Sequence, residues 1–156
     1  MKLLFKQRFF SWFDSYDIYD ESGATVFTVE GQLSWGHKLH ILNAAGEHIG
    51  TVKEVVLTFL PKFEFYVNGQ HAGALCKEFS LFQPRYTLEG LDWQVTGDFM
   101  GWDYNIETPT GHPVATIRKE LLHWTDTYTI DVDTPEHALT ALMIVLAIDA
   151  EQCSKN

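Results

Sequence analysis

Residues 135–150, PEHALTALMIVLAIDA, constrain the fold more than any other stretch of the chain. From Ala138 to Ile148 only Thr140 is polar, so a helix wound from this run has no face to offer to water. A helix that is apolar on all sides has to be buried, in a protein core or in a bilayer. The run falls well short of the ~20 residues needed to span a bilayer, so it predicts a core helix. Thr134 is placed as its N-cap, Pro135 suits the first helical position, and the charge of Glu136 suits the positive end of the helix dipole.

Upstream, the chain reads as short strands. Turn signals recur at Ser22-Gly23, Ala45-Gly46, Asn68-Gly69, Glu89-Gly90 and Thr110-Gly111, with segments rich in Val, Ile, Thr, Phe and Tyr between them. This spacing predicts antiparallel strands near 2–9, 14–20, 24–30, 38–43, 47–58, 62–68, 71–79, 84–89, 91–97, 101–107, 113–122 and 125–133. Asn68-Gly69 supplies the positive φ angles of a type I′ hairpin turn. One unit also repeats. An isoleucine stands five residues before a glycine, and an apolar–x–Thr–apolar run follows, at Ile18/Gly23, Ile41/Gly46 and Ile106/Gly111. A single greasy helix after so many strands predicts a barrel with the helix threaded through its middle.

At 156 residues the chain is read as one domain, 1–156, long enough to bury a real core. Its formal charge is −10, which argues against nucleic acid as a partner and against anionic membranes unless the few cations cluster. Cys76 and Cys153 form no disulfide framework and fit free thiols in a reducing compartment. Lys6 and Arg8 interrupt the N-terminal apolar stretch, so no secretory signal is read there. Together these features lead us to expect a soluble cytoplasmic protein.

No catalytic motif stands out. Gly31-Gln-Leu-Ser34-Trp-Gly36 has the wrong spacing for a nucleophile elbow, and no phosphate-binding glycine loop is present. His37 and His40 lie three apart on a predicted strand, where their rings would face opposite sides; the other histidines are scattered. Cys76 has only Lys77 beside it as an activating group, so both thiols are read as inert. Asp126, Asp131, Asp133 and Glu136 gather before the helix as weak calcium candidates. They lack the glycine turn and bidentate glutamate of a tight calcium loop, and Asp131 and Asp133 alternate with Ile130 and Val132 as on a strand with one wet face. Lys2, Lys6 and Arg8, followed by Phe9, Phe10, Trp12 and Phe13, form the best lipid cluster. At ~1 kcal/mol per cation they fall short of measurable binding to anionic liposomes at physiological salt.

Several long strings carry a family likeness: KQRFFSWFDSYDIYDESG, VEGQLSWGHKLHI, FLPKFEFYVNG, KEFSLFQPRYTLEGLDWQVTGDF and ALTALMIVLAID. Over essentially its whole length the chain resembles the bacterial members of the LURP-one-related family, which belongs with tubby C-terminal domains and phospholipid scramblases. The resemblance implies a mainly β, tubby-like fold, a twelve-stranded β-barrel enclosing a central hydrophobic C-terminal α-helix. It brings no known biochemical activity with it. Tubby relatives bind phosphoinositides through basic residues, and scramblase relatives carry an acidic calcium-binding segment where Asp131 and Asp133 lie here.

The sequence is therefore read as a non-enzymatic barrel protein without a cofactor, a binding or scaffold module for an unidentified partner, with a protein among the candidates. A peripheral phospholipid-binding or phosphoinositide-binding protein is the alternative, and a small-ligand enzyme is the third reading.

Overall fold

The computed structural model describes residues 1–5, 15–122 and 125–153, and the side chains of all of these except 121, 122, 125 and 126. The strands are β1 (Lys2–Phe5), β2 (Ser15–Tyr19), β3 (Thr25–Gln32), β4 (Lys38–Asn43), β5 (His48–Glu54), β6 (Lys62–Val67), β7 (Gln70–Glu78), β8 (Arg85–Glu89), β9 (Gln94–Asp98), β10 (Asp103–Glu107), β11 (Pro113–Leu122) and β12 (Thr125–Val132). A 3-10 turn at Pro135–His137 leads into the helix α1 (Ala138–Cys153). All twelve strands join one antiparallel sheet in the order β8-β7-β6-β5-β4-β3-β2-β1-β12-β11-β10-β9. The two ends of the strand sequence meet where Lys2 pairs with Asp131 and Phe5 with Tyr128. β8 and β9 lie alongside each other without a ladder, so the sheet is a nearly closed barrel with one seam.

α1 runs inside this barrel. Every residue from Ala141 to Ile148 is buried, so the all-round apolar run needs no wet face. Around it the inward positions of alternate strand residues are filled by Leu3, Ile18, Val29, Leu39, Ile41, Val52, Phe63, Phe65, Ile106, Ile117 and Ile130. Each such side chain contributes about 1.5–3 kcal/mol by leaving water. Gly50 on β5 lets the helix come close, because a Cβ there would lie 3.1 Å from Leu139 Cδ1. No described helix is long and apolar enough to cross a membrane.

The repeated unit is a repeated hairpin. Strands β2/β3, β4/β5 and β10/β11 each shift register just after the repeated isoleucine, at Ile18, Ile41 and Ile106. In each turn a short polar residue closes the loop: Asp20, Asn43 and Thr108 accept backbone N–H bonds from Ala24, Glu47 and His112. Gly23, Gly46 and Gly111 take φ of +87°, +83° and +87°, which glycine adopts without a Cβ penalty. Asn68 and Gly69 both have positive φ, as a type I′ turn requires.

Because the strands alternate in direction, these turns and the Gly90 turn all fall at one end of the barrel. The β3–β4, β5–β6, β7–β8 and β9–β10 connections fall at the other, and we call these the turn end and the loop end.

Three sequence expectations need correction. The strand expected over 47–58 stops at Glu54, because the chain turns away with Leu57 at φ +64°. The strand expected over 91–97 begins only at Gln94. Thr134 occupies the N-cap position, yet its side chain makes no capping bond to the backbone; the Asp133 carboxylate accepts the Thr134 N–H instead, at 2.7 Å.

Candidate anion-binding site

The outer wall of β4, β5 and β6 carries a cleft of about 320 Å³ lined by Lys38, His40, His48, Thr51, Lys53, Tyr66 and Gly69. Register explains the grouping. Lys38 pairs with Lys53 across β4 and β5, and His40 pairs with Thr51, which pairs with Tyr66 on β6. The irregularity after Ile41 matters most, because it places Ile41 opposite Gly50 but Leu42 opposite His48. That extra residue breaks the two-residue alternation of β5, so His48 and Thr51, three apart, share the outer face. The His40 and His48 rings stack with centroids 3.9 Å apart and planes 22° from parallel. His48 Nε2 donates to the Gly50 carbonyl at 2.9 Å and lies 2.8 Å from the Thr51 hydroxyl, which orients the ring.

The site is electropositive within an acidic protein. Lys38 and Lys53 stand opposite each other, and neither has a carboxylate partner among the described residues. Glu64 pairs with Lys53 across the ladder, but its carboxylate turns to the Tyr66 hydroxyl (3.0 Å) and His71 (3.1 Å). Glu54 likewise turns to His37, 3.4 Å away. Burial, then the neighbouring His48 and Lys38, hold the His40 imidazole below its ordinary pKa. Like charges placed opposite on a sheet destabilise it, so an anion between these groups would relieve a standing repulsion.

A second polar cluster lies within the barrel wall. Lys77 on β7 meets Glu151 of α1 at 2.6 Å, and the Tyr86 hydroxyl on β8 donates to the same carboxylate at 2.5 Å. Burial, followed by Glu151, pushes the Tyr86 phenol well above its ordinary value. Glu151 is 1% exposed, so this cluster fastens the helix and offers nothing to a ligand. It also removes the activating role considered for Lys77 beside Cys76. Burial pushes the Cys76 thiol up to about 11, with Glu89 adding to the effect. A thiol so held is a poor nucleophile.

Among the described residues, those singled out from the sequence are not brought together into a site. Asp131 is exposed on β12 between the buried Ile130 and Val132. Burial raises the Asp133 carboxyl, but hydrogen bonds from His137 (2.7 Å) and the Thr134 backbone outweigh it and hold the group below its usual range. Glu136 lies in the first turn leading to α1. Asp126 pairs with Leu121 through the backbone, and its side chain is outside the described residues. Among the described residues no three His, Cys, Asp or Glu groups are placed to share a metal ion. Lys2 lies 3.8 Å from Glu120, while Lys6 and Arg8 lie outside the described residues.

Known proteins place this architecture. The chain is 26% identical over 151 residues to an uncharacterised protein of Bacillus subtilis, YxjI, covering 96% of this chain and 92% of that one. Its fold matches the X-ray structure of an Arabidopsis thaliana protein with a TM-score of 0.66 at 14% identity, over 96% of this chain and 90% of the other. The fold is the tubby-like barrel. The sequence model of LURP-one-related proteins matches residues 1–149, and the chain belongs to the LURP-one-related family.

Proposed function

We propose that this barrel is a non-catalytic binding module whose outer wall over β4–β6 takes an anionic ligand of the phosphate kind. The observation that carries the reading is the opposed, unpaired pair Lys38 and Lys53 beside the stacked His40 and His48. Lysine binds phosphate as a point charge, and the cleft is of a size that holds a small ligand. The Thr51 and Tyr66 hydroxyls add hydrogen-bonding groups. The non-catalytic part is supported by the burial that raises the Cys76 thiol pKa and by the commitment of Lys77 to Glu151.

Titration with inorganic phosphate, followed by backbone amide NMR, tests the reading. Shifts should concentrate at Lys38–Ile41, Gly50–Lys53 and Tyr66–Gly69, and should vanish in the Lys38→Glu/Lys53→Glu variant. Shifts that are absent, or that gather elsewhere on the barrel, would remove it.

A further inference from the structure

We propose that the loop end of the barrel docks on a lipid bilayer, with its apolar loop tips entering the interface. The large hydrophobic side chains exposed to solvent among the described residues all sit at this end. Trp35 is on the β3–β4 loop, Leu57 and Phe59 on the β5–β6 loop, Phe79 and Phe82 on the β7–β8 loop, and Met100 on the β9–β10 loop. Leu57, Phe59 and Phe82 are 98%, 97% and 94% exposed. Scattered apolar residues on a surface need no explanation, but their segregation to one end does.

The loops form one rim. The β3–β4 and β5–β6 loops are tied together where the Glu54 N–H donates to the His37 carbonyl at 2.8 Å. The β5–β6 loop is tied to β7 where the Lys77 N–H donates to the Pro61 carbonyl at 3.0 Å. Across the seam, Gln83 and Pro84 share a small cleft with Phe99 and Met100. Leu57 holds φ +64°, a left-handed conformation costly for a branched side chain. The loop is thus built to turn an aliphatic group outward.

Charge orients the molecule the same way. Lys38, Lys53, Lys62 and Arg85 stand at the strand ends just behind the rim, balanced there by Glu54, Glu78, Asp98 and Asp103. The turn end carries Asp20, Glu21, Glu47, Asp92, Glu107 and Glu136, with Lys2 as the only Lys or Arg there among the described residues. In the field of an anionic surface this distribution turns the loop end inward and the acidic end away. A bilayer suits separate protruding tips better than a rigid protein face does, because lipid fills the spaces between them. Leu, Phe and Trp on such tips, backed by lysine, are the side chains that enter membrane interfaces. The sequence expectation of no liposome binding weighed Lys2, Lys6 and Arg8 with Phe9, Phe10, Trp12 and Phe13, and these tips were outside it.

The apolar tips share no residue with the anion site, so insertion into a zwitterionic bilayer is independent of it, although Lys38 and Lys53 stand in both the site and the rim. Sedimentation with vesicles of phosphatidylcholine, alone and mixed with phosphatidylglycerol, tests it on the whole chain. The wild type should pellet with both. Phe59→Ser/Phe82→Ser should lower partitioning by about tenfold or more while leaving the melting temperature unchanged, since these side chains pack against nothing in the barrel. Lys38→Glu/Lys53→Glu should lose the phosphate response yet still pellet with phosphatidylcholine. Wild type that stays in the supernatant overturns the inference, as does pelleting indifferent to the phenylalanine changes. Lipid-free dimerisation in the ultracentrifuge that those changes abolish would also overturn it, in favour of a second copy.

Discussion

Lys77 Nζ and a Glu151 carboxylate oxygen meet at 2.6 Å, although 74 residues separate them in the chain. One group comes from the barrel wall and the other from the last turn of the helix it encloses. Lys77 is 13% exposed and Glu151 1% at the side chain, so neither is solvated when alone. Removing one partner of a buried pair typically costs about 3–5 kcal/mol, because the other is left uncompensated. Glu151→Leu should therefore lower stability by that order in denaturant melts. Adding Lys77→Met should restore much of the loss, and a double variant no better than the single one would contradict the coupling.

Leu142 and Leu146 lie at the centre of the buried helix, 0% and 1% exposed. Aspartate at either position would put an unpaired charge there, at a cost of several kcal/mol against a domain stability of about 5–15 kcal/mol. Leu142→Asp and Leu146→Asp should each abolish cooperative melting. Leu142→Ala should fold, with a loss of about 2–5 kcal/mol. A soluble aspartate variant with a sharp transition would show that the helix does not hold the barrel together.

His40 gives the anion site a pH signature. Its folded pKa lies below the ordinary value of 6.5, so the unfolded chain takes the proton first as pH falls. Stability from this group is therefore intact above 6.5 and is lost as pH falls toward the depressed folded value. A bound anion reverses the preference by favouring the imidazolium. Sulfate, whose charge stays constant, should bind more tightly as pH drops from about 8 to about 5.5. His40→Asn should flatten that dependence, measured by calorimetry or by the NMR shifts of the site.

Calcium should find no tight site before the helix. The Asp133 carboxylate is occupied by His137 and the Thr134 N–H, and Asp131 projects alone from a regular strand. Isothermal titration should detect no affinity stronger than about 1 mM. A micromolar site lost in Asp131→Asn/Asp133→Asn would require these carboxylates to turn away from their present partners.

Sequence patterns disclosed most of the architecture, because strand alternation and the apolar helix are local signals. The five glycine turns marked one end of the barrel, since positive φ restricts the residue type. The histidine site was hidden by a bulge. Simple alternation gives no reason to set His48 beside Thr51, and only the register change after Ile41 does so. Glu151 was obscure for another reason: a carboxylate after an apolar run reads as the helix emerging into water, whereas Lys77 and Tyr86 meet it inside the wall. Leu57 was misjudged because strand periodicity assigned it to an extended strand, where its side chain would have packed, whereas it stands exposed on a loop.

The pairing of β1 with β12 has a kinetic consequence. Lys2 cannot find Asp131 until all the strands between them have been made, and the helix that fills the barrel follows every strand. Loops of this length are slow to close, and topologies dominated by distant contacts fold slowly. During synthesis the nascent sheet must therefore wait with its greasy concave side uncovered. Transiently exposed apolar surface of this kind favours aggregation, so refolding yield should fall as protein concentration rises.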